Sequence, residues 1–322
     1  MNIPPTVNLR IGSLASRVSR ALTFSEERAR TLRWIFFGAQ GLRTAWGVLL
    51  FVLVFELTEA MAIATLSHYV SLKPKGPIPP ILALMREACE LVAVAAATWV
   101  AARFEHKSML SYGFTGRHRF GRLGAGAVWG LASLSVLVLV LWKTGSLVFD
   151  GRSLNGLDAC TYGIIWLFVF LLVGLFEEAL LRGYLQYKLS QSIGFWWAAA
   201  VLCVAFALLH VRNGGESGLG LLAVGLGGLF FCISLWFTKS LWWAVGFHAG
   251  WDWGQSFLYG TPNSGLVMKG HLLTEHPSGD PLFSGGFAGP EASVFLPPLF
   301  VVAGLCMSVW WGKIRPVDDS DT

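Results

Sequence analysis

Long, continuous apolar runs dominate this chain, and they leave it few ways to fold. Eight stretches stand out: Thr44–Val70, Ile81–Ala102, Leu123–Leu141, Tyr162–Tyr187, Phe195–Val211, Leu219–Phe237, Leu241–Tyr259 and Ala292–Trp311. About 20 mainly apolar residues span a hydrocarbon core as a helix, because no water is present there to satisfy exposed backbone groups. The runs do not alternate polar with apolar at period two, so a β-barrel is not expected. With 54% hydrophobic and only 13% charged residues, the chain falls well below the roughly 25% charge of a soluble domain. The expected fold class is all-α, a polytopic transmembrane helical bundle of about eight spans. Residues 1–43 are expected as a cytoplasmic amphipathic segment, 44–311 as the bundle and 312–322 as a cytoplasmic tail.

Lysine and arginine accumulate in cytoplasmic loops. With both termini inside, the inner segments hold Arg103, Lys107, Arg117, Arg119, Arg122, Lys188 and Lys239 beside a basic N-terminal stretch, and the outer ones only Lys73, Lys75, Lys143, Arg152, Arg212 and Lys269. Both termini are therefore expected in the cytoplasm of a plasma (inner) membrane. The net charge of +5 reads as this bias, and without a basic stripe interleaved with aromatics no nucleic-acid partner is expected. Val7, Ile11, Leu14, Val18 and Leu22 recur at helical spacing beside Arg10, Arg17 and Arg20, the pattern of a helix lying on the membrane surface. Cys89, Cys160, Cys203, Cys232 and Cys306 lack paired spacing, which argues for neither disulfides nor a thiolate metal site. The glycine- and proline-rich stretch at 260–291 is a long loop on the expected outer side, and the sequence leaves open whether it is a lid, a binding element or disordered.

Three apolar runs carry ionisable interruptions: Glu177, Glu178 and Arg182; then His210, four residues after Phe206; then His248 and Asp252. A charge at membrane depth costs several kcal/mol by most scales, which makes each a candidate functional position. Glu178 and Arg182 are i,i+4 with the acid first, a spacing that pairs well. Glu177 is left over, turned about 100° from its neighbour and available as a general base. A structural ion-pair knot accounts for the first group equally well, and a lone histidine at a helix end is more often structural than catalytic. Taken together, two acids, two histidines and a further carboxylate are the parts needed to activate water at a carbonyl. His210, His248 and Asp252 also supply the donors of a divalent metal site, zinc above all. Arg86 and Glu90 are expected to pair at i,i+4, and Glu56 and Glu59 to face a polar cavity.

These three motifs resemble the CPBP (CAAX prenyl protease and Abi, bacteriocin-processing) family of intramembrane metalloproteases, whose signature reads EExxxR, FxxxH and Hxxx followed by Asn or Asp. The likeness runs over 162–259 and places Glu177, Glu178 and Arg182, Phe206 and His210, and His248 and Asp252 on the signature positions. The resemblance implies an endopeptidase that hydrolyses a peptide bond of a membrane-associated protein or peptide within the bilayer, with the first glutamate activating water. Eukaryotic relatives trim residues after a prenylated cysteine, and there asparagine stands at the position of Asp252. That exchange speaks for a ligand or orienting role at Asp252 and less for prenylated substrates. Three other readings compete. Gly215-Glu216-Ser217-Gly218 resembles the nucleophile segment of rhomboid serine proteases, with Ser217 paired to His248; a non-enzymatic scaffold or immunity protein would keep the polar network as structure; a proton-coupled transporter would use the acids as a relay.

Overall fold

The computed structural model describes residues 30–311 apart from 32, 39, 40, 73 and 75. The expected surface helix at Val7–Leu22 and the tail at 312–322 lie outside the described residues. Helix α1 covers Thr44–Ser67, α2 Pro80–Glu105, α3 Arg119–Lys143 and α4 Gly156–Glu178. A π-helical turn, Ala179–Leu185, continues α4 into α5, Gln186–Ile193. Then come α6 (Phe195–His210), α7 (Gly218–Thr238) and α8 (Trp242–Trp253), the last prolonged by a second π-helical segment, Gly254–Tyr259. A short α9 (Pro281–Ser284) precedes α10 (Leu296–Trp311). Strands are few: β1 (Phe37–Gly38) pairs with β2 (Gly41–Leu42), and β3 (Leu147–Arg152) pairs antiparallel with β4 (Leu273–Pro277), Leu147 opposite Pro277.

The protein is an all-α membrane-type bundle. Four helical stretches among the described residues are long and apolar enough to cross a bilayer: Thr44–Ser67, Arg119–Lys143, the continuous Gly156–Ile193 and Gly218–Thr238. Phe195–His210 and Leu296–Trp310 are apolar but shorter, α2 carries a charged turn at Arg86, Glu87 and Glu90, and α8 has 12 residues before its π-helical extension. The eight expected runs are thus all helical, yet only four meet the requirement for a span by length and composition. Local signals explain the breaks. Pro80 opens α2 at its first turn, where a missing N–H costs nothing, and the Ser217 hydroxyl caps α7 by accepting from Gly220 N at 3.0 Å. Pro297 and Pro298 sit in the first turn of α10, which therefore starts later than Ala292.

The helix that carries His248 and Asp252 is fixed by small residues. Gly126 and Gly130 of α3 face Gly246 and Gly250 of α8, and a Cβ built on any of the four would collide with backbone of the other helix: at the Trp243 and Phe247 carbonyls, and at the Leu123 and Ala127 carbonyls, respectively. Two reciprocal small-xxx-small patterns let the backbones touch, which is how helices associate where lipid is as apolar as leucine. His248 and Asp252 sit two residues past Gly246 and Gly250, and at 100° per residue that turns them to the opposite side of α8. Gly174 brings α4 against the same helix, its Cβ position 2.9 Å from the Val245 carbonyl oxygen.

A second tie joins α1 and α2 to the rest. Lys188 is buried and pairs with buried Glu105 at 2.5 Å, while Tyr184 donates to the same carboxylate at 3.3 Å. Lys188 is thus an internal ion-pair partner and not the expected loop charge, and it carries no weight as a marker of sidedness. Gly130→Ala should lower the thermal midpoint of the purified protein in detergent by the equivalent of about 3 kcal/mol, whereas Gly124→Ala, with open space at its Cβ position, should leave it unchanged.

Candidate active site

Glu177 and Glu178 are the last two residues of α4, and their rotation about the axis separates their surroundings. Glu178 is fully buried and accepts from Arg182 Nη1 at 3.1 Å. Arg182 belongs to the π-helical turn and lies between two aromatic faces, 4.7 Å from the Phe206 ring and 5.5 Å from the Phe231 ring. Gly228 makes room for it, since a Cβ there would stand 2.6 Å from Arg182 Nη2. A buried pair of this kind costs heavily to desolvate, and removing one partner typically costs about 3–5 kcal/mol.

His248 is the hub. Its Nδ1 stands 3.4 Å from Glu178 Oε1, and its Nε2 stands 3.5 Å from both Glu177 Oε2 and Asp252 Oδ2. The ring stacks on Phe231 at 5.1 Å and 20°. His210 is half-buried at the end of α6, edge-on to Phe206 at 4.9 Å, with Nδ1 3.0 Å from the Phe206 carbonyl. Glu177, His210, His248 and Asp252 all line one cavity of about 390 Å³. Five of the six candidate residues therefore form a connected cluster running from Arg182 through Glu178 and His248 to Glu177 and Asp252. His210 shares the cavity without touching the cluster by hydrogen bond or ion pair among the described residues.

The metal expectation was His210, His248 and Asp252. Among the described residues no three His, Cys, Asp or Glu side chains are grouped to hold a metal ion. Only His248 and Asp252 are neighbours, and the His210 Nδ1 is turned to a backbone carbonyl. As arranged, the donors do not fit a three-ligand zinc site. Ser217 does not meet His248 either: its hydroxyl caps α7, it is exposed, and it is not part of the cavity wall.

The family model described as type II CAAX prenyl endopeptidase Rce1-like matches residues 160–254. This segment is Rce1-like. It takes in α4 through α8 and with them all six candidate residues, in line with the CPBP resemblance, and it covers under a third of the chain. A search of curated proteins finds no match.

Much of the cavity is built by residues outside the Rce1-like segment. Glu56 and Glu59 of α1 and Arg86, Glu87 and Glu90 of α2 line it. Arg86 and Glu90 do not form the expected i,i+4 ion pair; they face the cavity instead. The 260–291 loop is an ordered cap. Asn263, Ser264, Leu266, Met268 and Glu291 contribute to the cavity wall, and β4 ties the loop to β3. Glu291 Oε1 accepts from Ser264 N at 2.6 Å, and Gln255 Nε2 reaches both Glu291 Oε2 and, at 2.6 Å, the Pro262 carbonyl. The signal for α1 and α2 lay in their charged positions, since Arg86 and Glu87 adjoin in an apolar run with Glu90 one turn on. Nothing local distinguished Glu291 from an ordinary loop acid.

Burial pushes the Glu291 carboxyl from its ordinary 4.5 up to about 8, against the opposing donation from Ser264 N and Gln255. A carboxyl whose folded value is raised stabilises the fold most below the ordinary value, and that contribution is lost as pH rises toward the folded one. Thermal midpoints measured from pH 4.5 to pH 8 should therefore fall for wild type relative to Glu291→Gln; parallel profiles would refute the assignment.

Proposed function

We propose that this integral membrane protein is an intramembrane endopeptidase that cleaves a membrane-associated protein or peptide with water activated by Glu177. The observation that supports it best is the approach of Glu177 Oε2 and Asp252 Oδ2 to one nitrogen, His248 Nε2, at 3.5 Å each, in a cavity that the Rce1-like segment lines in part. At that separation the three atoms do not bond well directly, while a water set off the lines joining them reaches all three. Glu177 takes its proton as the oxygen attacks the carbonyl carbon. Glu178, held by Arg182, orients the His248 ring from behind. The proton taken up by Glu177 is the one returned to the leaving amine. His210, with Nδ1–H given to the Phe206 carbonyl, presents Nε2 as an acceptor for the second hydrogen of the water. A divalent metal, zinc by the chemistry of the donors, would require His210 to turn toward His248 and Asp252.

Both termini are proposed to lie in the cytoplasm of a plasma (inner) membrane. Lys107 Nζ donates to Tyr187 OH at 2.7 Å, which sets the loop after α2 and the end of the long α4–α5 helix on one face of the bundle. Reporter fusions at Lys107 and Lys239 should report the same side.

The acid-lined cavity also suits a proton-coupled transporter, and one set of variants separates the two. In proteoliposomes with membrane-anchored peptides, Glu177→Gln and His248→Ala should each lower cleavage by about 10²–10⁴-fold while the proteins still insert and keep their helical circular-dichroism spectra. Ser217→Ala should cleave normally. Flux driven by a pH gradient in place of cleavage would sink the protease reading. Activity unchanged by a chelator would set a metal aside, and activity lost to chelation and restored by zinc would assign one.

A further inference from the structure

One amide of the cap stands against the candidate site. Asn263 lies outside the Rce1-like segment and lines the cavity that Glu177, His248 and Asp252 share. Its backbone is fastened on every side. Asn263 N donates to the Leu266 carbonyl and Leu266 N to the Asn263 carbonyl, both at 2.8 Å. The preceding carbonyl, that of Pro262, accepts from Gln255 Nε2 at 2.6 Å. Next along the chain, Ser264 N donates to Glu291 Oε1 at 2.6 Å, and the Ser264 carbonyl accepts from Asn213 Nδ2 at 2.8 Å. Ser264 itself has φ 44°, a left-handed conformation that residues other than glycine rarely adopt. Strain of this kind persists only where the surroundings over-determine it, and it clusters at functional sites.

What this turn presents to the cavity is the Asn263 side chain. Its Nδ2 donates to Ser256 Oγ at 3.3 Å, and the amide is also hydrogen-bonded to the Asp252 carboxylate. An ionised carboxylate only accepts, so the N–H side of the amide faces Asp252. Asp252 is buried, and its Oδ2 stands 3.5 Å from His248 Nε2, too far for that contact to fix the carboxylate's rotation by itself. We infer that Asn263 is a positioning residue, whose amide N–H holds the Asp252 carboxylate so that Oδ2 stays at the water site beside His248. The inference rests on the endopeptidase reading for the reaction it serves. None of the backbone bonds around the turn uses the Asn263 side chain, so a substitution there removes the amide and leaves the turn fastened.

The test uses the full-length chain in proteoliposomes with membrane-anchored peptides. Asn263→Ala should lower kcat by about 10–100-fold and change KM by less than about 2-fold. Asn263→Asp fills the same space but sets a second carboxylate against Asp252, and it should lose at least as much. Asn263→Ser keeps a donor and should lose less, and it also covers the case that the alanine variant does not fold. A role in filling space predicts the opposite order, aspartate above serine and alanine, and that order overturns the inference. So does wild-type kcat in Asn263→Ala, or a raised KM with kcat kept, which would make Asn263 a substrate contact. A second readout needs no cleavage: the thermal midpoints of Asn263→Ala, Asp252→Ala and the double variant in detergent. The fall caused by Asn263→Ala should shrink by about half or more when Asp252 is already alanine, and additive falls overturn the contact. Wild-type chain that cuts no peptide refutes the protease reading, and the contact then stands or falls on the midpoints; wild type that cuts, with Asn263→Ala equally fast, does the reverse.

Discussion

The ion pair of Glu178 with Arg182 holds the centre of this bundle together. Both side chains are buried, and each remaining face of the pair is used: Phe206 of α6 and Phe231 of α7 sandwich the guanidinium, while Glu178 Oε1 also meets His248 of α8. Four helices therefore converge on two charges. In a low-dielectric interior such a pair is favourable only when its geometry is good and its other polar atoms find partners. Among the described residues Arg182 Nε and Nη2 and Glu178 Oε2 have no hydrogen-bond partner, so the aromatic faces carry part of the compensation. The pair also keeps the arginine away from Glu177. Its neighbour absorbs the arginine, and one residue's rotation delivers Glu177 to the cavity.

Much of this was legible in the sequence because its signals were local and periodic. The apolar runs gave helices, and the i,i+4 spacing gave the Glu178–Arg182 contact and the His248–Asp252 neighbourhood. The same rule failed for Arg86 and Glu90, where it takes no account of a cavity that draws both side chains toward it. Lys188 misled for a related reason: Glu105, its partner, lies 83 positions away in sequence, and no window on the chain brings them together. Of the eight expected runs, four are helices long and apolar enough to cross a membrane by length and composition, while α2 carries a charged turn and α6, α8 and α10 are shorter. The spacing Gly126-x-x-x-Gly130 and Gly246-x-x-x-Gly250 was in plain view as a packing signal, but the identity of the partner helix is a tertiary fact.

Two π-helical segments bracket the candidate site, one directly after Glu178 and one directly after Trp253. A π-type turn takes up an extra residue and re-aims the chain beyond it while the helix before it stays regular. Here that lets α4 and α8 remain tightly docked up to their last candidate residues, on glycine contacts that tolerate no side chain, and then diverge. After Glu178 the chain turns to bury Arg182 and to place Tyr184 and Lys188 against Glu105, locking α1 and α2 in place. After Trp253 it turns to present Gln255 to Trp251, Pro262 and Glu291, fastening the cap. Each wall of the cavity is thus anchored through a break that starts within a few residues of Glu177 or Asp252.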